Sequence, residues 1–215
     1  MPDAGLPQRA YHHGNLRAAL LDAAVRELDG SPAEQLSLRA LARSLGVSQT
    51  APYRHFSDKQ ALFAAMAARG YGQLLLALRA ARDAAGPRAD AQLRAVARAY
   101  VDYAAAQERL FKLMFGPLVQ PVEEHPELRE VSRETLALVQ DILQHGMQRG
   151  EFAPQDVRYL ANAAWAGIHG MATLRIDAAA LFKRHIDLRR QVAVAVDTFI
   201  AGIAAAGTAT APAAP

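Results

Sequence analysis

The chain has no cysteine. Disulfides, a thiolate nucleophile and cysteine-ligated zinc are therefore excluded, and a reducing compartment is the natural setting. It has a single tryptophan, and aromatic residues make up only 7% of its 215 residues. Runs of β-branched residues with period-two alternation are scarce, so no strand is expected. There is no glycine-rich phosphate loop, no His-Glu-x-x-His and no Gly-x-Ser-x-Gly. The seven histidines are scattered, so no enzyme constellation, metal site or cofactor is expected from spacing. The longest apolar stretch, 192–207, is interrupted by Asp197 and is too short to cross a bilayer. The N-terminal MPDAGLPQRAYHHG has no apolar core and does not read as a signal peptide. The expectation is a cytoplasmic protein with no membrane partner.

What remains is alanine-rich, 52% hydrophobic and 21% charged, a composition that favours helices throughout. The net charge of +3 is a weak pointer to nucleic acid. The first 62 residues do not concentrate it: seven Lys and Arg stand against six Asp and Glu, a net of +1. If this region binds DNA, the placement of charge matters more than its total.

Asn15 can cap a first helix whose apolar stripe is Leu16, Leu20, Ala23, Ala24 and Leu28, ending at Gly30. Ser37 can cap a second, in which Leu38, Leu41, Ala42 and Leu45 share a face and Gly46 occupies the left-handed position after the last turn. Ser48 or Thr50 can cap a short third helix with Pro52 in its first turn. Ser57-Asp58-Lys59-Gln60 reads as a capping box opening a fourth helix that runs to about residue 85, where Gly86-Pro87 stops it. Longer helices are expected over 88–115, 127–149, 154–179 and 182–206. The predicted fold is all-α with about nine helices: a three-helix helix-turn-helix domain over 1–62, with 1–13 as a flexible arm, a helical bundle over 63–207, and a disordered tail over 208–215.

The second and third helices, joined by a tight glycine turn, have helix-turn-helix geometry. The third needs only Val47, Ala51 and Phe56 for its inner face. Gln49, Thr50, Tyr53, Arg54 and His55 are left for the outside, on an element of the size a DNA major groove admits. Glutamine can pair with adenine, and Ala and Thr methyls can meet thymine methyls. Tyr, His and Lys can hold phosphates. Ser57 and Lys59 offer a phosphate the start of the fourth helix. The same surface also suits an α-helical protein-interaction module that does not bind DNA.

The stretch LSLRALARSLGVSQTAPYRHFSDKQALFAAM, residues 36–66, resembles the DNA-binding signature of the TetR family of bacterial transcriptional repressors. The likeness covers both helices, the Gly46-Val47 turn, Tyr53-x-His55-Phe56 and Lys59-x-x-Leu62. It implies groove contacts from Gln49, Thr50 and Ala51 beside Ser48, a base contact from Arg39, and phosphate contacts from Tyr53, His55 and Lys59. Arg9, His12, His13 and Arg17 either add phosphate contacts or belong to a solvated arm. It further implies a homodimer on a palindromic double-stranded operator, released by a small-molecule effector. The 63–207 bundle would then bind effector and dimerise. In the family, two C-terminal helices of each subunit form the interface. Here the apolar stripe Val192, Val196, Phe199, Ile200 and Ile203 is a candidate for that interface, for core, or for both.

The segment NAAWAGIHGMATL, 162–174, resembles the Trp-His-Gly signature of one TetR-type C-terminal subclass. It sets Trp165 and His169 four residues apart on one helix face, as core or as the edge of an effector cavity. The cavity candidates are Tyr103, Phe111, Met114, Phe115, Met147, Trp165 and His169, with Tyr100 and Met171 nearby. None is Lys or Arg, which points to a mostly apolar effector.

Overall fold

A computed structural model describes residues 16–180 and 187–205. The expected arm with Arg9, His12 and His13, the Asn15 cap, the start of a helix at Phe182 and the 208–215 tail lie outside the described residues. The fold is all-α, an N-terminal helix-turn-helix region joined to a C-terminal bundle, as expected. Its helices are α1 (Leu16–Gly30), α2 (Leu38–Ser44), α3 (Lys59–Ala84), α4 (Ala89–Ala106), α5 (Glu108–Phe115), α6 (Pro126–Gln148), α7 (Val157–Asp177) and α8 (Leu188–Ile203). Four short 3-10 turns connect them, and no strand forms among the described residues.

The molecule is built around α3. Its N-cap is Asp58, whose side chain accepts a hydrogen bond from the Ala61 backbone N–H at 2.8 Å. That bond holds the Asp58 carboxyl below its usual range. The Ser57 hydroxyl donates to Asp58 instead of capping the helix itself, so the cap falls one residue later than the sequence pattern suggests. From there α3 runs 26 residues and buries Leu62, Phe63, Met66, Tyr71, Leu74, Leu75 and Leu78. By length and composition it could cross a membrane, but most of it is buried in the core. Helices α1, α4, α5 and α6 all pack against it. The boundary expected at residues 62–63 falls inside it, and one apolar core continues from Leu20 and Leu41 through Met66 and Leu78 to Val196.

The single helix expected over 88–115 is two helices. The chain breaks at Gln107, with φ −127° and ψ 44°, and the Gln107 carbonyl accepts the first bond of α5 from the Phe111 N–H at 2.8 Å. The break turns α5 so that Leu110, Phe111, Leu113 and Met114 are buried. Contact is closest at Gly70 of α3, where a Cβ would stand 2.6 Å from the Met114 sulfur. Polarity could not signal this break, because both sides carry the same helical periodicity.

Gly146 of α6 shows the same device. A Cβ there would lie 2.3 Å from the ring of Phe152, which is fully buried. Gly72 of α3 has nothing within 4 Å. The two positions should therefore respond to alanine with opposite signs. Gly146→Ala is expected to cost about 1–3 kcal/mol through overpacking. Gly72→Ala is expected to gain about 0.5–1 kcal/mol from helix propensity. Urea denaturation of both variants checks the pair.

Candidate nucleic-acid interface and ligand cavity

The helix-turn-helix is fixed by Gly46. At φ 68° it is left-handed, a conformation that costs glycine nothing. Its N–H donates to the Arg43 carbonyl at 3.1 Å, and the Val47 N–H reaches back to Ala42 at 3.0 Å. These paired bonds close α2 and set the angle at which the chain leaves it. The third element is not the expected α-helix. After Ser48–Thr50 it is a 3-10 turn, Ala51–Arg54, held by bonds such as Tyr53 N–H to Thr50 carbonyl at 3.2 Å. Pro52 cannot donate a backbone bond and favours this tighter form. It is also buried and anchors the turn together with Phe56, a packing role that its place in a first turn does not signal.

That anchoring presents a polar surface. Arg39, Ser48, Gln49, Thr50, Tyr53, Arg54 and His55 are exposed, while Ala51 and Lys59 are half-buried. The hydroxyls of Ser48 and Thr50 lie 3.2 Å apart. The Lys59 ammonium donates to the Glu34 carbonyl and sits 5.3 Å from the centre of the Phe63 ring. Arg17 lies over Phe56 at 5.7 Å and pairs with Glu127 of α6 at 2.6 Å.

A second feature lies deep in the bundle. A cavity of about 210 Å3 opens between α3, α4, α6 and α7. Tyr71, Leu78, Leu93, Val96 and Tyr100 form its inner wall, and Leu136, Val139 and Trp165 stand among its outer residues. Of the sequence candidates, Phe115 and Trp165 line it, and so does Tyr100. His169 stands behind them: its Nδ1 is 2.9 Å from the Tyr100 hydroxyl, and its ring is 4.4 Å from Phe115 and 5.3 Å from Trp165. The Trp165 indole N–H donates to the same hydroxyl at 3.3 Å. The others sit apart from the cavity lining. Tyr103 donates to the Gly70 carbonyl at 2.9 Å and ties α4 to α3. Phe111 and Met114 are buried under α3. Met147 is near the end of α6, its sulfur accepting from the Gln155 N–H at 3.3 Å. Tyr71, Leu78, Leu93 and Val139 escaped the sequence reading because a cavity wall and a core stripe use the same residues.

On α8, Val192, Val196, Ile200 and Ile203 are buried within their own chain and Phe199 is half-buried. The outward face of α7 and α8 carries exposed Tyr159, Leu174 and Val194. Small residues lie between them. A Cβ on Gly167, Gly170 or Gly202 would meet nothing within 4 Å.

Burial lowers the pKa of His169 below 6.5. The fold therefore favours the neutral ring, and the unfolded chain takes up the proton more readily. This contribution to stability is complete above pH 6.5 and is lost as pH falls through the lower folded value. Because Trp165 is the only tryptophan, protonation of His169 is expected to quench the protein's indole emission with a midpoint below pH 6.5. That transition should vanish in His169→Gln, as fluorescence-monitored pH titration of both proteins will show.

Comparisons with known proteins agree with this layout. Residues 20–66 match the family model of bacterial regulatory proteins, tetR family. Residues 93–199 match that of the tetracyclin repressor-like C-terminal domain. The uncharacterized HTH-type transcriptional regulator YobS of Bacillus subtilis (strain 168) is 24% identical over 190 residues, 88% of this chain and 93% of its own. The structure of a protein of unknown function from Rhodococcus sp. RHA1 is 37% identical with a TM-score of 0.81, spanning 92% of this chain and 100% of that one. The regulator FadR of Bacillus subtilis, in complex with stearoyl-CoA, shares the fold with a TM-score of 0.70 at 20% identity, over 87% of this chain and 99% of its own.

Proposed function

The chain belongs to the tetR family of transcriptional regulators, with an N-terminal DNA-binding domain, and from that premise we propose that it is a homodimeric repressor released from a palindromic operator by a small effector. The observation that carries the reading is the exposed polar surface from Ser48 to His55, held rigidly by buried Pro52 and Phe56. Gln49, Thr50 and Ala51 meet base edges and Arg39 contacts a base. Tyr53, His55 and Lys59 hold phosphates, with Lys59 leaving the Glu34 carbonyl to do so. The cavity beside Phe115 and Trp165 takes the effector. Trp165, His169 and Gly170 support assignment to the Trp-His-Gly subclass.

Dimerisation uses the outward face of α7 and α8. The α8 stripe is spent within the chain, and three glycines that the subunit's own packing does not require allow a second copy to approach closely. Two half-sites about 34 Å apart then face the paired reading surfaces.

Helix α3 links the two sites. Twelve residues, about 18 Å of helix, separate Lys59 from Tyr71. A ligand pressing on Tyr71 and Leu78 tilts α3, and its N-terminal end carries the reading surface with it. Arg69 pairs with Asp22 of α1, and Arg109 of α5 donates to the Leu28 carbonyl at 3.0 Å, so α1 follows. A coupling of about 1–3 kcal/mol between effector and operator is the usual scale.

Tyr53→Ala and Lys59→Ala are each expected to weaken operator binding about tenfold or more. Lys59→Ala should also reduce the salt slope by about one. Helicity and dimer mass should not change. Fluorescence anisotropy across a salt series measures both effects. Unaltered DNA binding in both variants would leave the protein-interaction reading in its place.

A further inference from the structure

The cavity contains few polar groups, and all but one are already engaged. The Ser132 hydroxyl donates to the Arg129 carbonyl at 3.0 Å and that of Thr135 to Val131 at 2.8 Å. The Tyr100 hydroxyl meets His169 Nδ1 and accepts from the Trp165 indole N–H. Tyr71 remains. It is only 9% exposed, its ring lies edge-on to Phe115 at 5.2 Å, and its hydroxyl has no hydrogen-bond partner among the described residues. The hydroxyl is not among the fully enclosed unpartnered atoms, so it keeps a face open to the cavity, where a ligand acceptor can meet it. No Lys, Arg, Asp or Glu lines the space, so a charged ligand would be buried there without a counter-ion. At about 210 Å3 the cavity is smaller than the usual range for drug-sized ligands.

We propose that this cavity is selective for a compact, uncharged compound with an apolar body and a single hydrogen-bond acceptor, such as a ketone or ether oxygen, which the Tyr71 hydroxyl engages. The proposal rests on reading the cavity as the effector site. It excludes carboxylates and acyl-CoA esters as occupants. Burial raises the pKa of Tyr71 and Tyr100 above the ordinary phenol value, so both hydroxyls keep their protons and Tyr71 stays a donor.

Three probes of one shape separate the contributions. Acetophenone has the acceptor, α-methylstyrene replaces its oxygen by a methylene, and benzoate adds a charge. Isothermal titration calorimetry on the full-length protein should show acetophenone binding most tightly, with Tyr71→Phe weakening it about three- to tenfold. α-Methylstyrene should bind more weakly and be indifferent to Tyr71→Phe, and benzoate should not bind. Val139→Trp, which plugs the mouth from α6, should abolish binding of both neutral probes without unfolding the protein. Tyr71→Phe should be at least as thermally stable as the parent, since the hydroxyl it removes is unmatched.

Benzoate binding as tightly as acetophenone, unaltered acetophenone binding in Tyr71→Phe, or no binding by any probe would each overturn the proposal. Operator release is scored separately. Acetophenone that binds through Tyr71 but leaves DNA affinity unchanged would uphold the ligand chemistry and refute the effector role. Release of DNA by benzoate would do the reverse.

Discussion

A helix of 26 residues held by an unbroken ladder of backbone hydrogen bonds moves as a rod, and here that rod is α3. Its first turn supports the reading surface through Lys59 and Phe63. Its middle accepts α5 at Gly70 and supplies Tyr71 and Leu78 to the cavity wall. Helix α6 runs alongside, from Glu127, which pairs with the Arg17 that lies over Phe56, to Leu136 and Val139 on the cavity wall. The short cap at Asp58 therefore has a wide role: it fixes where the rod starts relative to the 3-10 turn Ala51–Arg54.

Electrostatics takes a second place. The N-terminal region has almost no net charge, and part of its cationic complement is used inside the molecule. Arg17 stacks on Phe56 and pairs with Glu127. Lys59 sits on the Glu34 carbonyl. From the bundle side, Arg69 and Arg109 both reach α1. These contacts tie the helix-turn-helix region to the bundle. What the Ser48–His55 surface presents is a compact set of neutral hydrogen-bonding groups beside a few exposed arginines, so on the proposed function position outweighs total charge.

Much of this was legible in the sequence, for stated reasons. Gly46 sits where only a left-handed residue closes α2, and the leucine spacing around it could be read directly. The all-α architecture follows from period, propensity and the Gly-Pro stops. Other features left no local trace. The break at Gln107 arises because α5 must pack under Gly70, a tertiary demand. The cap moved from Ser57 to Asp58 because the carboxylate outcompetes the hydroxyl for the free N–H groups. Pro52 tightened the third element into a 3-10 turn. The cavity was half visible: Phe115 and Trp165 line it, whereas Tyr103, Met114 and Met147, of identical chemical type, are used for packing. The outer stripe of α8 is composed of Val194 and small residues, and it is hidden in the sequence by the stronger stripe beside it.

The account stands most directly on whether this surface reads sequence. Selection of the purified protein against random duplex DNA, followed by a salt titration on the winner, measures that. A palindromic consensus, with half-sites one helical turn apart and affinity falling steeply with salt, is the result the account requires. Recovery of no consensus, with only weak salt-sensitive binding, would contradict it and leave the Ser48–His55 surface to a protein partner.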